Sequence, residues 1–461
     1  MENILSNIEE LLQNISGFLW GLPMIILLLG THIFLTFRLK VPQRKLFTAI
    51  KLSVKKEEGS TGDVSPFAAL ATALAATIGT GNIVGVATAI SLGGPGAVLW
   101  CWLTGIFGMS TKYAESFVGI KYRIKTEDGK MLGGPMYALE KGLKQKWLGT
   151  LFALLTAIAA FGIGNSVQAN AISENICELV PFNSLGTKII VGILLSAIVG
   201  IVIIGGVKSI SKICTRLVPF MALFYILGCI YILIVNYQYI IPAIQWICAD
   251  AFSGSAVGGG AAGGGIILVA RYGIARGLFS NEAGMGSEPI VAAAAQTRNP
   301  ARQALVSSSG VFWDTVVICA MTGLVIVTTL LDKPELANEN GILTKKVFET
   351  IPYIGMPLLS FGMLTFAFST ILGWCYYGER SIEYLLGKRS LRYYRLAWVI
   401  VVFIGCVMSL GVVWSFAEIM NALMAIPNLI AVLFLSNLIA RETNYYVWKK
   451  NLHEHNDQFT H

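Results

Sequence analysis

The chain has 461 residues, 55% hydrophobic and only 13% charged, with 34 Lys and Arg against 26 Asp and Glu for a net charge of +8. Soluble proteins carry about 25% charged residues. A soluble enzyme, a disordered chain and a fibrous repeat are therefore excluded together, and a mean hydropathy of +0.68 points to an all-α polytopic membrane protein whose first partner is the lipid bilayer. A spanning helix needs about 20 apolar residues. About eleven such runs follow one another, over residues 17–37, 66–91, 97–120, 148–171, 189–204, 217–235, 266–294, 305–330, 356–377, 396–410 and 414–438. Glu2, Glu9 and Glu10 stand before the first run, where a signal peptide would be basic, so it reads as a retained helix. The chain divides into an N-terminal helix with a basic interfacial segment (1–64), a ten-helix core (65–440, halves near 65–236 and 258–440) and a polar tail (441–461).

Basic residues cluster in every second connection. The clusters are Arg38 to Lys56; Lys112 to Lys146; Lys208, Lys212 and Arg216; Arg298 and Arg302; Arg380 to Arg395; and Arg441, Lys449 and Lys450. Cytoplasmic loops are enriched in Lys and Arg, so the N-terminus is expected outside and the C-terminus in the cytoplasm. No aromatic-and-basic module accompanies this excess, and no nucleic-acid partner is expected. Leu46, Phe47, Ile50 and Val54 form an apolar stripe beside Lys45, Lys51 and Lys55, as on a helix lying in the interface. Residues 239–252 have a similar pattern, and either stretch could instead pack on the bundle. The eight Cys are scattered without a CxxC pair and read as small buried hydrophobes. Three of the four His sit in the tail, and neither a zinc site nor an organic cofactor is expected.

Two runs are interrupted. The second contains Gly79-Thr80-Gly81-Asn82, and the seventh contains Ser280-Asn281-Glu282-Ala283-Gly284-Met285-Gly286-Ser287. Glycine costs about 1 kcal/mol against Ala in a helix, and a carboxylate at bilayer depth at least ~2.5 kcal/mol. Gly81 and Gly85 also fit a small-xxx-small packing pair, but packing does not require Asn82, Asn281 and Glu282. Unwound backbone inside a membrane has to line a cavity or be buried in protein. With the first run set aside, the knots fall in the first and sixth of ten runs, equivalent places in two five-helix halves. An odd number of helices per half inverts the second half. Inverted repeats with paired broken helices mark a secondary transporter whose site lies where the breaks meet.

The segments TALAATIGTGNIVGVATAI (72–90), GGPGAVLWCWLTGIFGMSTKYAE (93–115), GGPMYALEKGL (133–143) and GLFSNEAGMGSEPIVAAAAQT (277–297) resemble the alanine or glycine:cation symporters, the sodium:alanine symporter family of bacteria and archaea. The likeness runs from about residue 20 to about 414. It implies a LeuT-type ten-helix core plus one N-terminal helix in a prokaryotic plasma membrane, and sodium-coupled uptake of small neutral amino acids, alanine and glycine being typical.

A zwitterionic substrate needs donors for its carboxylate. Backbone N–H groups at Thr80, Gly81 and Asn82 are expected to supply them, with Gly79 and Gly81 allowing close approach. Asn82 both donates and accepts and is placed at substrate and ion. By resemblance, Gln168 contacts substrate, Phe279 and Trp374 form apolar walls, and Thr77 and Gly284 complete the set. Asn165 reads as a bundle residue. Ser369 and Thr370 offer hydroxyls to a sodium ion, and the LeuT-type fold implies carbonyls from Ala75 and Ile78. Back-bonding within their own helix is the alternative. A second ion is expected near Thr77 and Asn82. Glu282 reads as an internal ion pair with a partner such as Arg276 rather than a proton carrier, because other buried acids look scarce. Competing functions are a glutamine or proton-coupled carrier of the same fold, an ion channel and an intramembrane enzyme. A channel filter needs a symmetric ring, and no HExxH or GxSxG occurs to support hydrolysis.

Overall fold

The computed structural model describes residues 2–55, 60–179, 184–253, 265–338, 343–353, 355–408 and 411–455. The expected start of the second half near 258 and the last tail residues lie outside them. Among the described residues, eight helices are long and apolar enough to cross a membrane, and a ninth span counts if the pair Pro66–Thr77 and Gly81–Gly93, bent by 55°, is taken as one. Two further helices fall short for stated reasons. Ala97–Lys121 is 25 residues long but carries Lys112 and Glu115, and Gly265–Asn281 stops after 17 residues at the second knot. Before the first run lies a helix the sequence reading did not contain, Glu2–Leu19, packed on Gly411–Phe434. Its end is tied there by Ser16 Oγ to Glu418 (2.7 Å) and by the Trp20 indole to the Glu418 carbonyl (3.1 Å).

Helix packing follows the small residues. Ala97–Lys121 lies against both Pro300–Val311 and Gly265–Asn281. At Gly277 a Cβ would sit 1.8 Å from Thr104 Oγ1, so only glycine lets these two helices approach that closely. Gly355–Leu386 packs on Pro66–Thr77, Gly206–Val235 and the helix that starts at Lys146; Ser184–Ile204 packs on Leu391–Val407. Six of the eight Cys are buried, Cys177 is half-buried and Cys248 is exposed; all are free thiols.

The basic connections meet at one end. Arg38 donates to Asn437, Lys45 stands over the Trp448 ring, Lys388 pairs with Asp128 (2.7 Å), and Arg123 donates to the Ala293 and Ala295 carbonyls. At that end a short bridge joins the two broken segments: Asp63 N–H donates to the Ala294 carbonyl and Gln296 N–H to Val64 (2.7 and 2.8 Å). Lys188–Glu174 and Lys345–Glu178 lie in the remaining connections. Both amphipathic connectors are helices that do two things at once. In Leu46–Val54, Ala49 and Ser53 face the protein while Phe47 and Val54 point out; in Ile240–Ser253, Ala243 and Ile247 are buried while Ile241 and Ile244 are exposed.

One member of the basic clusters is misplaced by its sequence neighbours. Lys112 is 0% exposed, inside its helix, with its ammonium 3.3 Å from both Glu115 and Glu288. Removing one partner of a buried ion pair costs about 3–5 kcal/mol, whereas exposed pairs are worth about 0–1 kcal/mol. Lys112→Ala should therefore lower the detergent melting temperature strongly, while Lys346→Ala, at the half-exposed pair with Glu349, should scarcely move it. Equal shifts would show that the buried cluster does not hold the fold.

Candidate functional site

The first break is built by a good start and a deliberate stop. Ser65 caps Pro66–Thr77 by accepting from the Ala68 N–H, with Pro66 at the first helical position. After Thr77 the backbone turns extended at Ile78 (φ −74°, ψ 99°). Asn82 then closes the gap: its Oδ1 accepts from the Gly79 N–H (2.9 Å), and its own N–H donates to the Gly79 carbonyl (3.2 Å). The helix resumes through a π-turn, Gly81–Gly85.

The residues singled out around this break converge. Ser369 Oγ donates to the Ala75 carbonyl (3.2 Å) and Thr370 Oγ1 to Ile78 (3.4 Å). Both hydroxyls also back-bond to Phe366 (2.9 and 3.0 Å). The back-bonding alternative is thus present beside the contacts to the two freed carbonyls, and the Phe366 carbonyl is a fifth oxygen at this point that the sequence did not disclose. Thr80 Oγ1 donates to Gln168 Oε1 (3.4 Å), and a Cβ on Gly81 would touch only the Phe279 ring, at 3.6 Å. Thr80, Gly81, Arg276 and Phe279 share a cavity of about 170 Å³, below the ~300 Å³ at the low end of drug-sized pockets. A second cavity of about 230 Å³ shares Val84, Asn170, Ala171 and Met363 with it and leads to Glu174, Glu178 and Lys345.

Three expected members stand apart. The Thr77 hydroxyl turns back to Ala73 (3.3 Å). Trp374 is buried, with its indole N–H on Glu282 Oε1 (3.1 Å) and its Cβ where a side chain at Gly164 would be. Gly284 belongs to the scaffold: its N–H donates to Glu115 (3.1 Å), its carbonyl accepts from Asn428 (2.9 Å), and Leu28, Leu429 and His32 crowd it. Its φ of 88° explains the glycine. Asn165 bonds the Trp398 carbonyl (3.0 Å), as a bundle residue does.

The reading of Glu282 is corrected. Its oxygens take Trp374 and Ser287, while Arg276 lies over the Phe279 ring (5.8 Å). Nor are buried acids scarce: Glu115, Glu282, Glu288 and Asp314 are all buried. Asp314 is the residue the sequence reading missed. It sits in a π-helical stretch, Phe312–Cys319, and binds both breaks: Asn82 Nδ2 donates to its Oδ1 (2.7 Å) and Ser280 Oγ to its Oδ2 (2.9 Å). A lone carboxylate in an apolar run is by default a functional residue, and that signal was present.

A model of the sodium:alanine symporter family matches residues 5–461. The chain belongs to that family. It is a sodium-coupled amino-acid symporter, a multi-pass membrane transporter and not an enzyme. The sodium/alanine symporter AgcS of Methanococcus maripaludis is 49% identical over 446 residues, 95% of this chain and 97% of that one. "Probable sodium/glutamine symporter GlnT" of Bacillus subtilis is 35% identical over 454 residues, 96% and 92% of the two chains. The crystal structure of MhsT in complex with L-phenylalanine superposes with a TM-score of 0.59 at 15% identity, covering 85% of this chain and 95% of that one, which shows the LeuT-type fold.

Gly81 gives the sharpest test of the break. The space beyond its Cα is open apart from Phe279, so Gly81→Ala should fold with a near-wild-type melting temperature. Its methyl group would fill part of the 170 Å³ cavity, and alanine affinity should fall at least tenfold. A destabilised protein with intact affinity would make Gly81 a packing residue instead.

Proposed function

We propose that the symporter imports small neutral amino acids, alanine and glycine foremost, and binds them at the first break. The observation that carries this reading is the pairing of two hydroxyls, Ser369 and Thr370, with the two freed carbonyls of Ala75 and Ile78. A half-helix C-terminus is the negative end of its dipole and favours a cation. When sodium enters, the hydroxyls rotate their lone pairs from donation to coordination, so all five oxygens, Phe366 included, face the ion. No titratable group belongs to that set, which favours sodium over protons.

The substrate carboxylate meets the N-terminal end of the resumed helix. Because Asn82 spends its N–H on Gly79, Thr80 and Gly81 are the donors in this reading. Gln168 and Thr80 supply polar contacts; Phe279 limits the side chain, and Trp374, packed on Gly164 outside the cavity, acts on it through the helix that carries Gln168. A second sodium sits by Asn82 with Asp314 and Ser280 as its oxygen donors, in place of the Thr77 hydroxyl. Alanine is favoured over glutamine by the small cavity and by the higher identity to a sodium/alanine symporter than to a glutamine one. Counting Ala97–Lys121 and the second broken helix as spans gives eleven. The end where the basic connections meet is then cytoplasmic, with the N-terminus outside, and the two linked cavities form the extracellular approach.

Replacing Ser369 and Thr370 together by Ala should raise the sodium concentration for half-maximal uptake at least tenfold in proteoliposomes. Unchanged sodium dependence would place the ion elsewhere.

Specificity supplies a second test. Glu282 holds the Trp374 indole, so Trp374→Ala and Glu282→Ala should both shift preference from alanine toward valine and leucine, graded by size because one methylene is worth only ~1–3 kcal/mol. Glu282→Gln keeps an acceptor oxygen and should restore the wild-type ranking. In a Trp374→Ala background, Glu282→Ala should add nothing further. An additive shift would show that Glu282 does not act through Trp374.

A further inference from the structure

A cavity of about 910 Å³ opens at the basic end of the bundle, and no residue of either break lines it. It lies where Ser184–Ile204 turns into Gly206–Val235 at Gly205 and Gly206, the second of which has a φ of +63°. Arg395 of Leu391–Val407 ties the corner to that helix. That guanidinium is clamped by Glu379 and donates to the Ile204 carbonyl (3.2 Å).

The cavity has two chemically distinct sides. One is apolar and continuous with the outer surface of the helices: Ile204 and Leu396, both on its wall, are 73% and 62% exposed, and Val399 lies beside them. The other carries six cations, Lys130, Lys208, Arg380, Lys388, Arg392 and Arg395, against the lining carboxylates Asp63 and Asp128. Glu379 and Glu383 neutralise Arg380 and Arg395 from behind, and Asp128 is shared by Lys130 and Lys388. Among the described residues, Lys208 has no side-chain partner and Arg392 hydrogen-bonds only its neighbour Tyr393 (2.9 Å). The buried Nε of Arg380 is also unbonded among them.

A free anion would use the cations and leave the apolar wall wet. A neutral amino acid would leave the cations unanswered. A molecule with a phosphate anion at one end and hydrocarbon at the other satisfies both sides, and basic pockets between transmembrane helices bind such headgroups. We propose that this cavity seats an anionic phospholipid, its phosphate on Lys208 and Arg392 above the Arg380–Arg395 floor, with an acyl chain along Ile204, Leu396 and Val399. The proposal rests on this end lying at the membrane–water interface.

The test uses purified full-length protein in neutral detergent, with phosphatidylglycerol, phosphatidylcholine and inorganic phosphate as probes. Lipid retained in native mass spectrometry and the melting temperature are the readouts. Phosphatidylglycerol should be retained at least fivefold over phosphatidylcholine and should raise the melting temperature, whereas millimolar phosphate should do neither. Lys208→Gln with Arg392→Gln should abolish the preference, and Lys208→Arg with Arg392→Lys should keep it. Equal retention of the two lipids, an unchanged preference in the Gln variant, or an equal shift from phosphate alone would each overturn the proposal. Sodium-driven alanine uptake in phosphatidylcholine vesicles, measured alongside, separates failure of this site from failure of the symport reading.

Discussion

A helix interrupted at membrane depth leaves N–H and C=O groups that no water can satisfy. The structure meets that constraint twice, by opposite means. At the second break the freed groups are consumed by the protein: Glu115 takes the Gly284 N–H, Asn428 takes its carbonyl, and Asn281 takes the Ala283 N–H. Lys112 holds Glu115 and Glu288 in place. At the first break, side chains answer only some groups, through Asn82 on Gly79 and two hydroxyls on Ala75 and Ile78. One break is a finished scaffold; the other leaves valences open, and the proposed ion and substrate are assigned to them.

Asp314 is what makes the two breaks a single device. Its carboxylate accepts from Asn82 on one side and Ser280 on the other, so a cation added there alters the charge seen by both broken helices together. The π-turns sharpen this. Gly81–Gly85, Gly162–Ser166 and Phe312–Cys319 bring or adjoin Asn82, Gln168 and Asp314. Each inserts an extra residue without ending its helix, turning a polar side chain inward from an otherwise apolar run.

That same feature explains what sequence could disclose. The broken helices, the converging basic connections and the Ser369–Thr370 pair were legible because each leaves a local mark: a glycine beside a polar residue, an alternation of charge, two adjacent hydroxyls. Lys112 was not, because charge was grouped by sequence neighbours, whereas its helix runs 25 residues and carries it into the core. Gly284 looked like a ligand glycine through its company, yet its positive φ serves the bend itself. Asp314 was visible as a lone acid, but nothing in one dimension pairs residue 314 with residues 82 and 280.

The unequal treatment of the breaks also assigns the moving part. Shifting the second break would separate Lys112 from Glu288 and strip Gly284 of both partners at once, a loss that includes two buried charge-assisted contacts. Such bonds are roughly twice as strong as neutral ones. The half-helix Pro66–Thr77 is held at its inner end by neutral hydroxyl–carbonyl contacts of 3.2 and 3.4 Å, and these are the contacts that sodium at the proposed site would replace with stronger ones. Under the proposed ion site, its occupancy would decide whether the half-helix is fixed against Gly355–Leu386 or free to swing, with the second break and its ion cluster as the frame. On that proposal coupling needs no long-range signal, because the cation itself would be the latch between the part that moves and the part that does not.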